Sequence, residues 1–175
     1  AGVHVHTRES APLTAQMIKD HFVLRGMLEP QALIAGADHV DRGRLNDLFL
    51  RLSDLEQHEP ADHLAALEAI YADFIDVCIL ATPNERLKES IRNNLLPVTA
   101  TERLLRRLGL PGDPAIITEL RLVAELLLRG AVKAAAAMME NHLEAAVNRT
   151  IAQMKIVAII PGPSVTAAYL TRVLE

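Results

Sequence analysis

Apolar residues recur at spacings of three and four along most of the 175-residue chain, the period of helices that bury one face. The clearest case is "DRGRLNDLFLRLSDLEQ", where Leu45, Leu48, Leu52 and Leu55 share a stripe. Before it, "TAQMIKDHFVLRGMLEPQALIAGA" predicts a long first helix with Met17, Phe22, Leu24, Leu28 and Leu33 on its apolar surface. Pro30 lacks a backbone donor and is expected to kink or divide that helix. Pro60 suits a first helical turn and opens a third helix running to about Thr82. Asn84 as N-cap and Pro97 as stop bound a fourth. A short basic helix, "ATERLLRRLG", and the break "LPGDP" follow. Ile116, Leu120, Val123 and Leu127 then form a stripe that ends at Gly130, and a last long helix covers roughly 131–157. Only "GVHVHT" (2–7) alternates, so a short strand is expected there, and "IIPGPS" precedes a small amphipathic tail, "VTAAYLTRVLE". The pattern predicts an all-α fold: an antiparallel bundle of about seven helices with a short N-terminal strand.

Composition narrows the picture. The length suits one domain with a sizeable core. Half of the residues are apolar, but with two Tyr, three Phe and no Trp the core must be built from aliphatic helix packing. A single cysteine, Cys78, excludes an internal disulfide and suits a reducing compartment. No apolar run reaches the roughly 18–20 residues that span a bilayer, and "AGVHVHTRES" lacks the apolar segment of a signal peptide. A cytoplasmic protein without membrane contact is expected. The formal charge of −4 argues against nucleic-acid binding by this chain alone.

The isolated chemical motifs all have plain readings. His4 and His6 form an HxH pair on the terminal strand, a far commoner accident than a metal site. Asp62, His63, Asp73 and Asp76 fit a solvated helix face. "ERLLRRLG" carries only three arginines and precedes an apolar helix, so a surface helix is favoured over a DNA-reading one. Cys78 has no His three or four residues away and reads as a small buried residue. No GxSxG, Walker-type loop, GxGxxG or HExxH is present, and the eight glycines do not cluster into a phosphate cradle.

Taken in order, four patterns resemble the FCD domain, the C-terminal effector-binding and dimerisation domain of FadR-type GntR transcription regulators. "RGMLEPQA" supplies Arg25, Leu28 and Glu29 of an R-x-x-L-E motif. "YADFIDVCILATPN" has Phe74 with Asn84 ten residues on, similar to a D-x-x-F-H pattern and its following Asn. "ELRLVAELLLRG" through "MMENHL" gives Glu119, a glycine eleven residues later (Gly130), His142 and Leu143 in register. "AGVHVHT" resembles the end of the wing strand that joins a DNA-binding domain to this one.

The resemblance implies boundaries: residues 1–10 as wing strand and linker, 11–157 as the helical effector-binding and dimerisation domain, 158–175 as a tail with a short helix. It also implies a metal site of one Asp and three His, but the Asp falls on Tyr71 and the histidines on Ile75, Leu120 and His142. Residues 71 and 75 are one turn apart and share a helix face, yet one imidazole beside Ile and Leu cannot retain a metal. No metal or other cofactor is therefore expected. The implied pocket has Arg25 for an anionic end, Tyr71 and His142 as hydrogen-bonding groups, and Ile75, Leu120 and Met138 as apolar lining. Two bland readings stand beside it: Arg25 and Glu29, at i and i+4, pair with each other, and His142 is a core histidine satisfied by Tyr71. The expected function is the sensing and dimerisation domain of a GntR-type regulator, binding a small effector without a metal and reaching DNA only through a separate N-terminal domain. The alternative is a homodimerising scaffold with a filled core and no effector, and a small helical enzyme ranks third.

Overall fold

The computed structural model describes residues 15–58, 60–95 and 114–159. Six α-helices run through them, and none of the described residues is in a strand: α1 (Ala15–Gly36), α2 (Arg42–Glu56), α3 (Pro60–Phe74), α4 (85–95), α5 (Pro114–Leu128) and α6 (Val132–Ile159). A short 3-10 turn (Ala37–His39) follows α1, and a π turn (Ile75–Ile79) extends α3. The expected N-terminal strand, the basic helix near 100–109, the stop at Pro97 and the C-terminal tail beyond Ile159 lie outside the described residues.

Local chemistry explains most boundaries. Asp41 caps α2, its side chain accepting the Arg44 N–H at 3.0 Å. Asn84 does the same for α4, accepting the Leu87 N–H at 3.1 Å. The C-terminus of α5 closes in a Schellman arrangement: Ala131 N–H bonds Leu126 O at 2.9 Å, and Gly130 N–H bonds Leu127 O at 3.0 Å. Gly130 makes this possible with φ +75°, a backbone region that other residues adopt at a cost. Pro30 does not divide α1, which runs unbroken through it. The carbonyl its ring approaches belongs to residue 26, a glycine with no atom within 4 Å of where a Cβ would stand.

The helices pack as antiparallel neighbours around one core. Arg42 at the start of α2 donates to Leu128 O at the end of α5, while Glu56 at the end of α2 meets Thr118 and Arg121 near the start of α5. Arg51 pairs with Asp73, and Arg44 with Asp76 beyond the end of α3, setting α2 and α3 antiparallel. α1 lies along α6, and α6 along α5. Leu45, Leu48, Leu52 and Leu55 are buried together, as their spacing predicts. The α5 stripe begins at Ile117 instead of Ile116, with Leu120, Val123 and Leu127 in place. Met17 and Leu24 are exposed, so α1 is apolar outside as well as inside. At the far end of α1, Gly36 touches the 81–82 turn so closely that a Cβ would stand 2.5 Å from Thr82 N. That contact ties the end of α1 to the turn that follows the π turn.

Candidate functional site

Helix periodicity puts His21, Arg25 and Glu29 on one face of α1, since residues four apart lie above one another. Arg25 and Glu29 are both buried, 2 % and 0 % exposed, and they pair with each other: Arg25 Nε donates to Glu29 Oε2 at 2.6 Å and Nη2 to Oε1 at 3.3 Å. Isolated in the core, either charge would cost several kcal/mol, so each makes the other tolerable. Burial works against the Arg25 charge, but the fields and hydrogen bonds of Glu29 and Tyr71 outweigh it and hold its pKa above the ordinary arginine value.

From Arg25 the contacts continue across the bundle. Its Nη2 also donates to the Tyr71 hydroxyl on α3 at 2.7 Å. That hydroxyl lies 3.1 Å from Nε2 of His142 on α6, and His142 Nδ1 lies 2.5 Å from Glu119 Oε2 on α5. Arg149, two turns beyond His142, closes the line with donors to both Glu119 oxygens at 2.9 and 2.8 Å. Donor and acceptor roles run one way. Arginine can only donate and carboxylate can only accept, so Tyr71 accepts from Arg25 and His142 donates through Nδ1 to Glu119; with His142 neutral, the Tyr71 hydroxyl donates to its Nε2. Rings stack along the route: the Arg25 guanidinium lies 5.1 Å from the Phe22 ring centre and 5.8 Å from that of Tyr71.

Glu119 marks the outer end of this relay. Partial burial pushes its carboxyl up, but the hydrogen bonds and charges of His142 and Arg149 outweigh that and bring it from 4.5 to about 2. The two guanidiniums balance the two carboxylates, and His142 adds a positive charge only when it is protonated.

The apolar candidates belong to the same core. Ile75 is buried at the first position of the π turn, Leu120 is fully buried on α5, and Met138 packs against the core one turn before His142. Arg25, Tyr71 and His142 are thus brought into one contact chain, and both bland readings hold geometrically: Arg25 pairs with Glu29, and His142 with Tyr71. Two members were not singled out from sequence. Glu119 was noted only as a motif residue, and Arg149 not at all, although its place seven residues after His142 puts both on one face of α6.

These residues do not fit a metal. Among the described residues no three His, Cys, Asp or Glu side chains come together. The His142 nitrogen that would face an ion is held by the Tyr71 hydroxyl, itself bonded to a guanidinium, so a divalent cation would meet an existing positive charge. Asp73 and Asp76 form exposed ion pairs, and burial pushes the Cys78 thiol up to about 12, too high for a nucleophile. His4, His6 and the Asp62 and His63 side chains lie outside what is described. No helix among the described residues is long and apolar enough to cross a membrane.

Compared with known proteins, the chain matches a family model, the FCD domain, over residues 20–145. No curated protein and no solved structure matches it. The matched span holds the relay from Arg25 to His142 and leaves Arg149 outside.

Proposed function

The chain belongs to the FCD domain family, the effector-binding and oligomerisation domain of GntR-type transcription regulators, and from that premise we propose a homodimeric, metal-free sensing domain for a small effector with an anionic or polar end. In this reading DNA is reached through another domain of a cytoplasmic regulator, residues 11–157 form the sensing unit, residues 1–10 lead from the DNA-binding side and 158–175 form a tail. The observation that carries it is the meeting of Arg25, Tyr71 and His142, within 2.7 and 3.1 Å of one another in sequence along the relay, at the place where the family resemblance puts its ligand set.

The chemistry of such a site is exchange. Arg25 is already paired, so a carboxylate or phosphate gains it only by displacing Tyr71 or Glu29. Displacing the neutral Tyr71 hydroxyl leaves the Arg25–Glu29 pair intact, whereas displacing Glu29 would strand a buried carboxylate, so Tyr71 is the acceptor an effector replaces. Releasing Tyr71 also uncouples α3 from α1 and α6. An effector that binds better to the released state shifts the domain toward it, and only by that difference in affinity.

A second reading has its own observation. The relay leaves Arg25, Tyr71 and His142 each with a protein partner, which suits a closed core in a scaffold that only dimerises. Thermal melts with a series of small carboxylates and organophosphates, run in EDTA, separate the two. A sensor shows a saturable gain, about 3 kcal/mol at a hundredfold excess over Kd, that Tyr71→Phe or Arg25→Lys diminishes. A scaffold shows none with any member, and native mass spectrometry finds no co-purified small molecule.

A further inference from the structure

Between α1 and α6 runs a groove of about 470 Å³, lined by Phe22 and Val23 on α1 and by Leu143, Val147 and Ile151 on α6. Val23 is 57 % exposed there. Along the α6 side stand Glu140 and Glu144, one turn apart, a like-charge pair that slightly destabilises a helix when no cation is near. Both are exposed, and neither forms an ion pair among the described residues. The groove thus fits a cover that is apolar on one side and carries a positive charge at its edge.

The chain itself supplies such a segment within reach. α6 continues from Ile151 to Ile159, two turns on, so its backbone ends on the face that Ile151 occupies. Residues 160–175 follow in the sequence and lie outside the described residues. Pro161, Gly162 and Pro163 do not continue a helix. After them Val165, Tyr169, Leu170, Val173 and Leu174 recur at helical spacing. Arg172, two turns after Val165, falls at the edge of that apolar side, with Glu175 on the polar side. A helix over 165–175 would be about 16 Å long, the length of α6 from Glu140 to Ile151. Returning to the level of Ile151 on a neighbouring axis takes about 15 Å, and the six residue steps from Ile159 to Val165 span up to about 20 Å.

We propose that the chain's own C-terminal segment, residues 165–175, folds back as a helix antiparallel to α6 and fills this groove. With Val165 level with Ile151, the register sets Tyr169 beside Val147 and Arg172 beside Glu144, which gives the acidic pair its cation. The apolar side of the segment covers Val23 and the α6 floor, and its polar side faces water. Val23 and Arg25 lie about 200° apart around α1, so the segment braces that helix on the side away from the relay. The proposal stands apart from the effector reading, because none of the groove residues belongs to the relay.

Thiol labelling of the whole chain carrying Val147→Cys tests it. The native Cys78 is buried, with its thiol pushed up to about 12, and stays silent beside the new one. A maleimide should label the Val147→Cys thiol at least roughly tenfold faster once Tyr169→Asp and Leu170→Asp remove the apolar contact. Arg172→Glu alone should speed labelling by up to roughly fivefold, the worth of one exposed pair, and adding Glu144→Lys should slow it again. A thiol labelled equally fast with and without the tail substitutions overturns the proposal if it is open in both. A thiol shielded in both overturns it too, and names another cover: a second copy if the shielding fades on dilution, a bound apolar molecule if it does not. Charge reversals without effect overturn the register that sets Arg172 beside Glu144.

Discussion

Replacing Tyr71 by Phe removes one oxygen from the middle of the relay and leaves the ring packing in place. The hydroxyl accepts from a buried guanidinium at 2.7 Å and lies 3.1 Å from His142 Nε2. A hydrogen bond to a charged group contributes about 1.5–3 kcal/mol and a neutral one about 1, with a further penalty for buried groups left unsatisfied. Tyr71 is only half-buried, so water can answer part of the loss. The expected cost is therefore about 2–3 kcal/mol, or roughly 4–12 °C in Tm for a domain of this size. Urea melts at fixed protein concentration measure it, the concentration held because a dimer's stability depends on it. A double-mutant cycle with His142→Leu isolates the relay: residues in one network couple by about 0.5–3 kcal/mol, whereas independent sites add. A cost below about 0.5 kcal/mol, or additivity of the two changes, would refute a connected relay.

Glu119 makes stability depend on acid. Its folded pKa lies near 2 against an ordinary 4.5, so its contribution is fully present above 4.5 and lost as pH falls toward 2. The shift corresponds to about 3 kcal/mol, reduced to roughly 1–2 by the group's partial exposure. Melts of wild type and Glu119→Gln should therefore differ most near pH 7 and converge by about pH 2; a constant gap would contradict this. Gly36→Ala should cost at least about 2 kcal/mol, because its Cβ would stand 2.5 Å from Thr82 N and 2.9 Å from Ala81 C, backbone atoms that cannot swing aside. Gly26→Ala, with nothing within 4 Å, should be neutral or gain up to about 1 kcal/mol in chemical denaturation.

Helix existence was legible because it depends on local spacing. The stripes of α2 and α5, the Asn84 cap and the Gly130 stop each involve residues within a few turns of one another. Pro30 was read as a kink or a division, and the division did not occur: α1 runs unbroken through it. Met17 and Leu24 were grouped with Phe22, Leu28 and Leu33 on one apolar surface, yet both are exposed, because an apolar residue does not by itself say which side of a helix is buried. At the site, Arg25–Glu29 was legible as an i, i+4 pair and Tyr71–His142 through the family register. Glu119 and Arg149 were missed as a pair because they lie 30 residues apart on different helices, and nothing local announces such a meeting.

The central claim is that a protein hydrogen-bond relay stands where relatives are expected to hold a metal. The most direct test is zinc and nickel titration followed by thermal melting, with the wild type beside a variant carrying Tyr71→Asp, Ile75→His and Leu120→His. Glu119 already holds His142 by Nδ1 and leaves Nε2 facing inward, the orientation a ligating histidine needs. The variant buries new polar groups and should start less stable, then gain about 3 kcal/mol at a hundredfold excess of metal over Kd. The wild type should gain nothing. A wild type that binds metal stoichiometrically, or a variant indifferent to both ions, would contradict the account.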